Sequence, residues 1–192
     1  IYVADARRFV RVTDARYDVI VADLFHPARD GAGALYTVEH FQAIRNRLAS
    51  GGLFCQWLPL FQLDEPMLRV IVRTFLEVFP NGRAYLLRFN VDTPVLGLVG
   101  MLEPAQYPAG WFDKRVRDAD LREQLQPLPL VNDFQLFGSL IAGPSALGTF
   151  SRDAPLNTDN RPVVIFGAPR FAHQRNAPSY GRLLTLLDLH AA

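Results

Sequence analysis

The stretch 17–27, YDVIVADLFHP, constrains this chain more than any other. Val19-Ile20-Val21-Ala22 is a short apolar run rich in β-branched residues, and Tyr17-Asp18 leads into it. That pattern predicts a central strand buried on both faces of a parallel sheet. The run stops on Asp23, an acid placed where such a strand emerges at its carboxyl end. Ligands of open α/β sheets bind at that edge. A loop bearing proline and glycine follows from His26 to Gly33, and a helix-like segment begins at Thr37.

The neighbouring stretches extend the pattern. Residues 1–4 read as a strand ending on Asp5, followed by a short helical turn through Arg7, Arg8 and Phe9. Val38, Phe41, Ile44 and Leu48 recur at helical spacing, and Gly51-Gly52 is expected to close that helix. Residues 53–60 read as another strand. Asp64 can cap a helix running to Phe79, with Met67, Val70, Ile71, Phe75 and Val78 on its inner face. Pro80-Asn81-Gly82 ends it. Strands at 84–89 and 95–101, joined by the turn 90–94, read as an antiparallel hairpin at the sheet's edge. The alternation before them implies a mainly parallel sheet with right-handed crossovers.

Beyond Glu103 the pattern loosens into helical pieces at 118–126, 133–140 and 181–189, separated by proline and glycine. Residues 1–103 therefore read as one α/β unit. Residues 104–192 read as a helical cover on it, too thin in apolar residues to fold alone. Within that cover Asn157, Asp159 and Asn160 form a turn before the strand-like Val163-Val164-Ile165-Phe166. Asp159 is expected to be partly buried there and bonded to backbone N–H groups or to an arginine.

Composition narrows the function classes. The 192 residues are 49% hydrophobic and 20% charged, which describes a globular chain with room for one sizeable core. A net charge of +1 offers no broad electrostatic case for nucleic acid or an anionic membrane. Of the 20 basic residues only Lys114 is lysine, and the scattered arginines suit solvated faces and ion pairs. One cysteine, Cys55, excludes an internal disulfide and a multi-cysteine metal site. Its place in a predicted strand favours packing over reactivity. The four histidines show no ligand spacing, so no metal is expected. No apolar run approaches the roughly 20 residues that cross a bilayer, and no signal peptide is visible. The strand-like opening at Ile1 implies that the chain starts inside its fold.

Two acids stand out as candidates for chemistry. Asp5 and Asp23 each end a predicted strand, and those strands belong at one edge of the sheet. Singly, each acid reads as the cap of the following turn. Together at one edge, they read as two carboxylates projecting into a ligand crevice.

Asp5-Ala6-Arg7-Arg8-Phe9, the 17–27 stretch with Asp23 and His26-Pro27, and Leu35-Tyr36 before a helix resemble the polyamine aminopropyltransferases, the spermidine and spermine synthases. Arg47-Leu48-Ala49-Ser50-Gly51-Gly52 and the strand with Gln56-Trp57 continue the match. Residues 155–162, PLNTDNRP, resemble a motif of the bacterial spermidine-synthase-like proteins, often fused to membrane segments. The resemblance runs from Ile1 to about residue 170 and thins between 103 and 150.

The resemblance implies the later part of a methyltransferase-like Rossmann fold, with a C-terminal antiparallel hairpin and a helical cover. It implies aminopropyl transfer from decarboxylated S-adenosylmethionine to a small-molecule amine, without metal and without nucleic acid. Asp5 and Ala6 would then bind the donor's adenine, and Asp23 would be the catalytic acid at the attacking amine. His26, Tyr36 and Gln56 would line the acceptor pocket. A homodimer, an upstream membrane segment in the parent protein, and a cytoplasmic location, including that of a membrane-anchored parent's cytoplasmic domain, all accord with the family.

Two departures bear on the acceptor. The family's Asp-x-x-Asp-Pro pattern here reads Asp23-Leu24-Phe25-His26-Pro27, and an imidazole holds a polyamine's charge less well than a carboxylate. The family's tyrosine before the last hairpin strand is replaced by Val91-Asp92-Thr93-Pro94. The glycine-rich turn after the first strand and the ribose-binding acid after the second have no counterpart here. Gly31-Ala32-Gly33 is no substitute, lacking the third glycine and helix start of a phosphate-binding turn. Two further readings therefore accompany the first. One is an S-adenosylmethionine-dependent methyltransferase; the other is a catalytically incomplete structural or partner-binding domain. The 192 residues alone are expected to be poorly soluble or self-associated through an unpaired edge of the 17–22 strand, and not to bind an adenosyl cofactor tightly.

Overall fold

Residues 17–22 do form a strand, β1 (Tyr17–Ala22), but it lies at the edge of its sheet. The structure, a computed structural model, describes residues 1, 3–23, 26–29, 31–88, 90, 92–104, 106–125, 127–128, 132–172 and 179–189. Among these, β2 is Leu48–Pro59, β3 is Arg83–Arg88, β4 is Val95–Met101 and β5 is Leu140–Ala142. The sheet order is β1–β2–β4–β3–β5. Only β1 and β2 pair in parallel; every other neighbouring pair is antiparallel.

The edge position corrects the expectation of burial on both faces. Val19 and Val21 are 56% and 52% exposed. Burial on both faces needs a layer on each, and helices α2 (Val38–Arg45) and α3 (Glu65–Val78) cover the other one. There Phe41, Phe54, Phe75 and Phe79 form the centre of the core, with ring centroids 5.1–6.0 Å apart. Asp64 caps α3 as expected, accepting from the Met67 N–H at 2.8 Å.

Residues 1, 3 and 4 form no strand, and Ile1 and Val3 are fully exposed. Among the described residues no neighbour offers them a ladder, and a lone strand buries too little to persist. Tyr2 lies outside the described residues. Asp5 therefore ends no strand. It caps helix α1 (Ala6–Val12), its carboxylate accepting from the Arg8 N–H at 2.7 Å.

Gly51-Gly52 does not close α2, which ends at Arg45 with Asn46 as its cap. The two glycines sit inside β2, where the register jumps from Tyr17↔Leu48 to Val19↔Leu53. Gly51 takes up the extra length at φ +73°, a left-handed conformation that glycine tolerates best.

The hairpin of β3 and β4 is present, with Phe89 and Val91 outside the described residues. It does not hold the edge, because β5 pairs outside β3. Helix α6 (Asp133–Phe137) stops short of Leu140-Ile141-Ala142, and three residues are too few to reveal a strand period. Val163-Val164-Ile165-Phe166 is not a strand; it opens helix α8 (Val163–Ala172). A short apolar run does not separate the two periods, and here Val164, Ala168 and Phe171 turn inward at helical spacing.

Helices α5 (Ala119–Leu125) and α9 (Ser179–Asp188) lie where periodicity places them, with Gln126 outside the described residues. Helices α4 (Trp111–Arg115) and α7 (Pro144–Ser151) carry no clear signal in the sequence. The later part of the chain is thus not only helical. It adds β5 to the sheet and packs α7 and α8 on α3.

Candidate active site

Because β1 and β2 run parallel, their carboxyl ends meet at one edge, with Ala22 facing Gln56 across the ladder. Asp23 follows Ala22 directly and is exposed. Gln56 is wholly buried, and its Nε2 donates to the Trp57 carbonyl at 3.1 Å and the Ala22 carbonyl at 3.5 Å. Its Oε1 is buried without a hydrogen-bond partner among the described residues. Such an orphaned acceptor costs about 1–3 kcal/mol until a donor reaches it. The exposed acid thus follows directly on the ladder partner of a buried amide whose oxygen has no donor among the described residues.

His26 is half-buried in the loop after β1, and its Nδ1 is also buried without a hydrogen-bond partner among the described residues. Leu24 and Phe25, which separate it from Asp23, lie outside the described residues. Tyr36 ends the 3₁₀ turn Ala32–Tyr36 and is fully buried. Burial holds its hydroxyl well above the ordinary tyrosine value, so it stays protonated. Cys55, beside Gln56, is buried, and burial pushes its thiol up to about 11; it packs and does not react.

Ala4 and Ala6, on either side of Asp5, line a groove of about 540 Å³ with Phe9, Val10, β1 and residues His40 and Ile44 of α2. Ala22, the neighbour of Asp23, lines it too. The structure therefore brings the surroundings of both acids to one groove, through a helix cap in place of a second strand. The cap engages one oxygen of Asp5, and Ala6 begins the helix, where a backbone N–H has no intrahelical acceptor.

His40 escaped the sequence reading, and Asn157 is expected from sequence only as a turn residue. His40 is 3% exposed, and its Nδ1 is buried beside the groove without a hydrogen-bond partner among the described residues. Burial, then the charges of Arg7 and Arg11, lower its pKa to about 4, so the imidazole is neutral near pH 7. The only signal for it is its spacing of four residues from Ile44 on one helix face. Asn157 is wholly buried; its Nδ2 donates to the carbonyls of Tyr36 at 2.9 Å and Gly33 at 3.3 Å. A Cβ on Gly33 would stand 2.8 Å from the Ile165 nitrogen, so the turn and α8 touch only because that residue is glycine.

Asp159 meets its expectation. Its side chain is 33% exposed and accepts hydrogen bonds from Arg7 and, at 3.0 Å, from Arg11. Burial raises its pKa, but the bonds from Arg7, Thr37 and Arg11 outweigh that and hold the carboxyl below its usual range.

Residues 1–100 match the family model of the spermine/spermidine synthase domain. The chain is 30% identical over 128 residues to polyamine aminopropyltransferase 2 of Hyperthermus butylicus, covering 65% of this chain and 42% of that relative. It is 30% identical over 118 residues to polyamine aminopropyltransferase 2 of Aquifex aeolicus, covering 62% of this chain and 23% of that relative. The chain thus spans less than half the length of these curated relatives. In fold it matches the crystal structure of a probable spermidine synthase from Corynebacterium glutamicum, with a TM-score of 0.51 and 20% identity. That match covers 82% of this chain and 53% of the other, and it shows a methyltransferase-like fold.

Proposed function

Since this chain belongs to the spermine/spermidine synthase family, we propose that it carries the carboxyl-edge part of an aminopropyltransferase site. The donor is decarboxylated S-adenosylmethionine and the acceptor a small amine. The observation that supports this reading is the Ala22–Gln56 register: Asp23 is the residue after Gln56's ladder partner, and among the described residues Gln56 Oε1 is buried without a donor.

An alkyl amine is protonated near pH 7 and has no lone pair to offer. Asp23 holds the ammonium, takes one proton and frees the nitrogen to attack the carbon beside the sulfonium. The new C–N bond forms as the C–S bond breaks, and its electron pair leaves on sulfur as a neutral thioether. Gln56 Oε1 accepts an N–H of the acceptor and fixes its direction. His26 stands where the family has a second acid, and its buried Nδ1 supplies one more polar contact. Asp5 accepts from the adenine amino group, and the Ala6 N–H donates to the ring. In this reading residues 104–192 are the cover that holds the site in place.

Asp23→Asn keeps the shape and removes the base. It is expected to lower turnover about 10²-fold or more while the melting temperature stays near that of the parent. Turnover within a few-fold of the parent would remove Asp23 from the mechanism.

A further inference from the structure

The turn 157–162 touches both halves of the proposed site. Asn157 is bonded to the carbonyls of Gly33 and Tyr36 on the acceptor side, and its Oδ1 accepts from the Val164 N–H at 3.1 Å. Its own N–H is held by Thr74 of α3 at 2.9 Å, and its carbonyl accepts from the Val38 N–H at 3.0 Å. Two residues later the Asp159 carboxylate takes both arginines of one α1 face, Arg7 on Oδ1 and Arg11 on Oδ2. The Asp159 N–H is bonded to Glu39 of α2 at 3.0 Å. One short turn is thereby fixed to α2, α3 and α8 and grips α1 from outside.

Helix α1 is short and buries little of itself. It is seven residues long, and Val10 is its one buried residue. A helix of that length has no stability of its own in water. Another tie among the described residues is the Val10 carbonyl, which accepts from Arg47 Nε at 3.1 Å. Asp5 and Ala6 are the cap and first residue of this helix, so their place in space is the place of α1.

We infer that Asp159 is a positioning residue for the nucleoside half of the site, setting Asp5 and Ala6 through Arg7 and Arg11. Asn157 anchors the same turn to Tyr36, so the two halves share one ruler. The inference rests on the proposed reading of Asp5 and Ala6. It adds a role for a residue far along the chain that contacts neither substrate.

The test uses the full chain and 5′-methylthioadenosine, the thioether left after transfer, with calorimetry for binding and steady-state kinetics for both substrates. Asp159→Asn is expected to weaken nucleoside binding about 5- to 10-fold and raise the donor KM alike. The acceptor KM and the kcat at saturating donor should stay within twofold. Asp159→Glu should recover most of the loss, and Arg11→Gln, at a half-exposed side chain, should show part of it. Salt at 0.5 M should weaken binding by the parent but not further by Asp159→Asn, because a partly exposed pair is screened. If Asp159→Asn lowers the melting temperature yet binds the nucleoside as the parent does, Asp159 is only a brace and the inference fails. If the parent itself binds no nucleoside, the reading of Asp5 and Ala6 fails first.

Discussion

Ala22 and Gln56 are partners across the parallel ladder, and the Gln56 amide reaches back to the Ala22 carbonyl at 3.5 Å. Asp23 is the next residue, so acid and amide share one edge without belonging to one strand. Gln56→Leu removes the Nε2 bonds to the Trp57 and Ala22 carbonyls, and that loss is offset by removing the buried oxygen that has no partner among the described residues. The variant is expected to melt within a few degrees of the parent while the acceptor KM rises about tenfold. Parallel melting curves and acceptor titrations check this; an unchanged KM would take Gln56 out of the pocket.

His40 should make stability pH-dependent. Burial, then Arg7 and Arg11, lower its pKa from 6.5 to about 4, against the pull of Asp159 and Asp5. Between those values the unfolded chain binds a proton that the folded chain does not. Stability is therefore complete above pH about 6.5 and falls as pH drops toward 4. The full shift corresponds to about 3 kcal/mol. His40→Phe should flatten this limb, which urea unfolding at pH 7, 5.5 and 4.5 would show. Equal slopes in parent and variant would refute it.

Asn157 and Asn160 should differ sharply, although both belong to the same turn. Asn157 is buried and bonded to Tyr36, Gly33 and Val164, whereas Asn160 is exposed. Asn157→Ala leaves those backbone groups unpaired and is expected to cost about 2–4 kcal/mol. Asn160→Ala should stay within about 0.5 kcal/mol of the parent. Denaturant midpoints measured side by side would settle the contrast.

The edge of β1 carries a solubility prediction. Val19 and Val21 are more than half exposed, and β1 pairs only with β2 among the described residues. An apolar unpaired strand is a template for other chains. The 192-residue chain is expected to sediment as self-associated species, and Val19→Lys to shift it toward monomer. A parent that already sediments as a monomer at about 50 μM would contradict this.

The residues around Asp23 were legible because their signals are local. Four apolar residues ending on an acid specify a strand and its end, and the Val38–Phe41–Ile44 period with a glutamine on the next strand completes the edge. The Asp159 contact was legible in kind, since an acid in a tight turn of an arginine-rich chain finds an arginine. Which arginines it meets, 148 and 152 residues away, no local pattern states.

The sequence by itself determined the strand β1, the capped helix α3, the hairpin and the family pattern around Asp5 and Asp23. Each of these rests on contacts within a few residues or on a repeat that a single element must satisfy. Tertiary structure alone decided the rest. Residues 1, 3 and 4 have no ladder neighbour among the described residues and form no strand, while residues 140–142 gain one in β3 and become a strand. Val163-Val164-Ile165-Phe166 becomes helical where α3 and Gly33 leave room for α8. Strands exist only in pairs, and short apolar runs take the period of the surface they pack on, so these outcomes depend on partners distant in the chain.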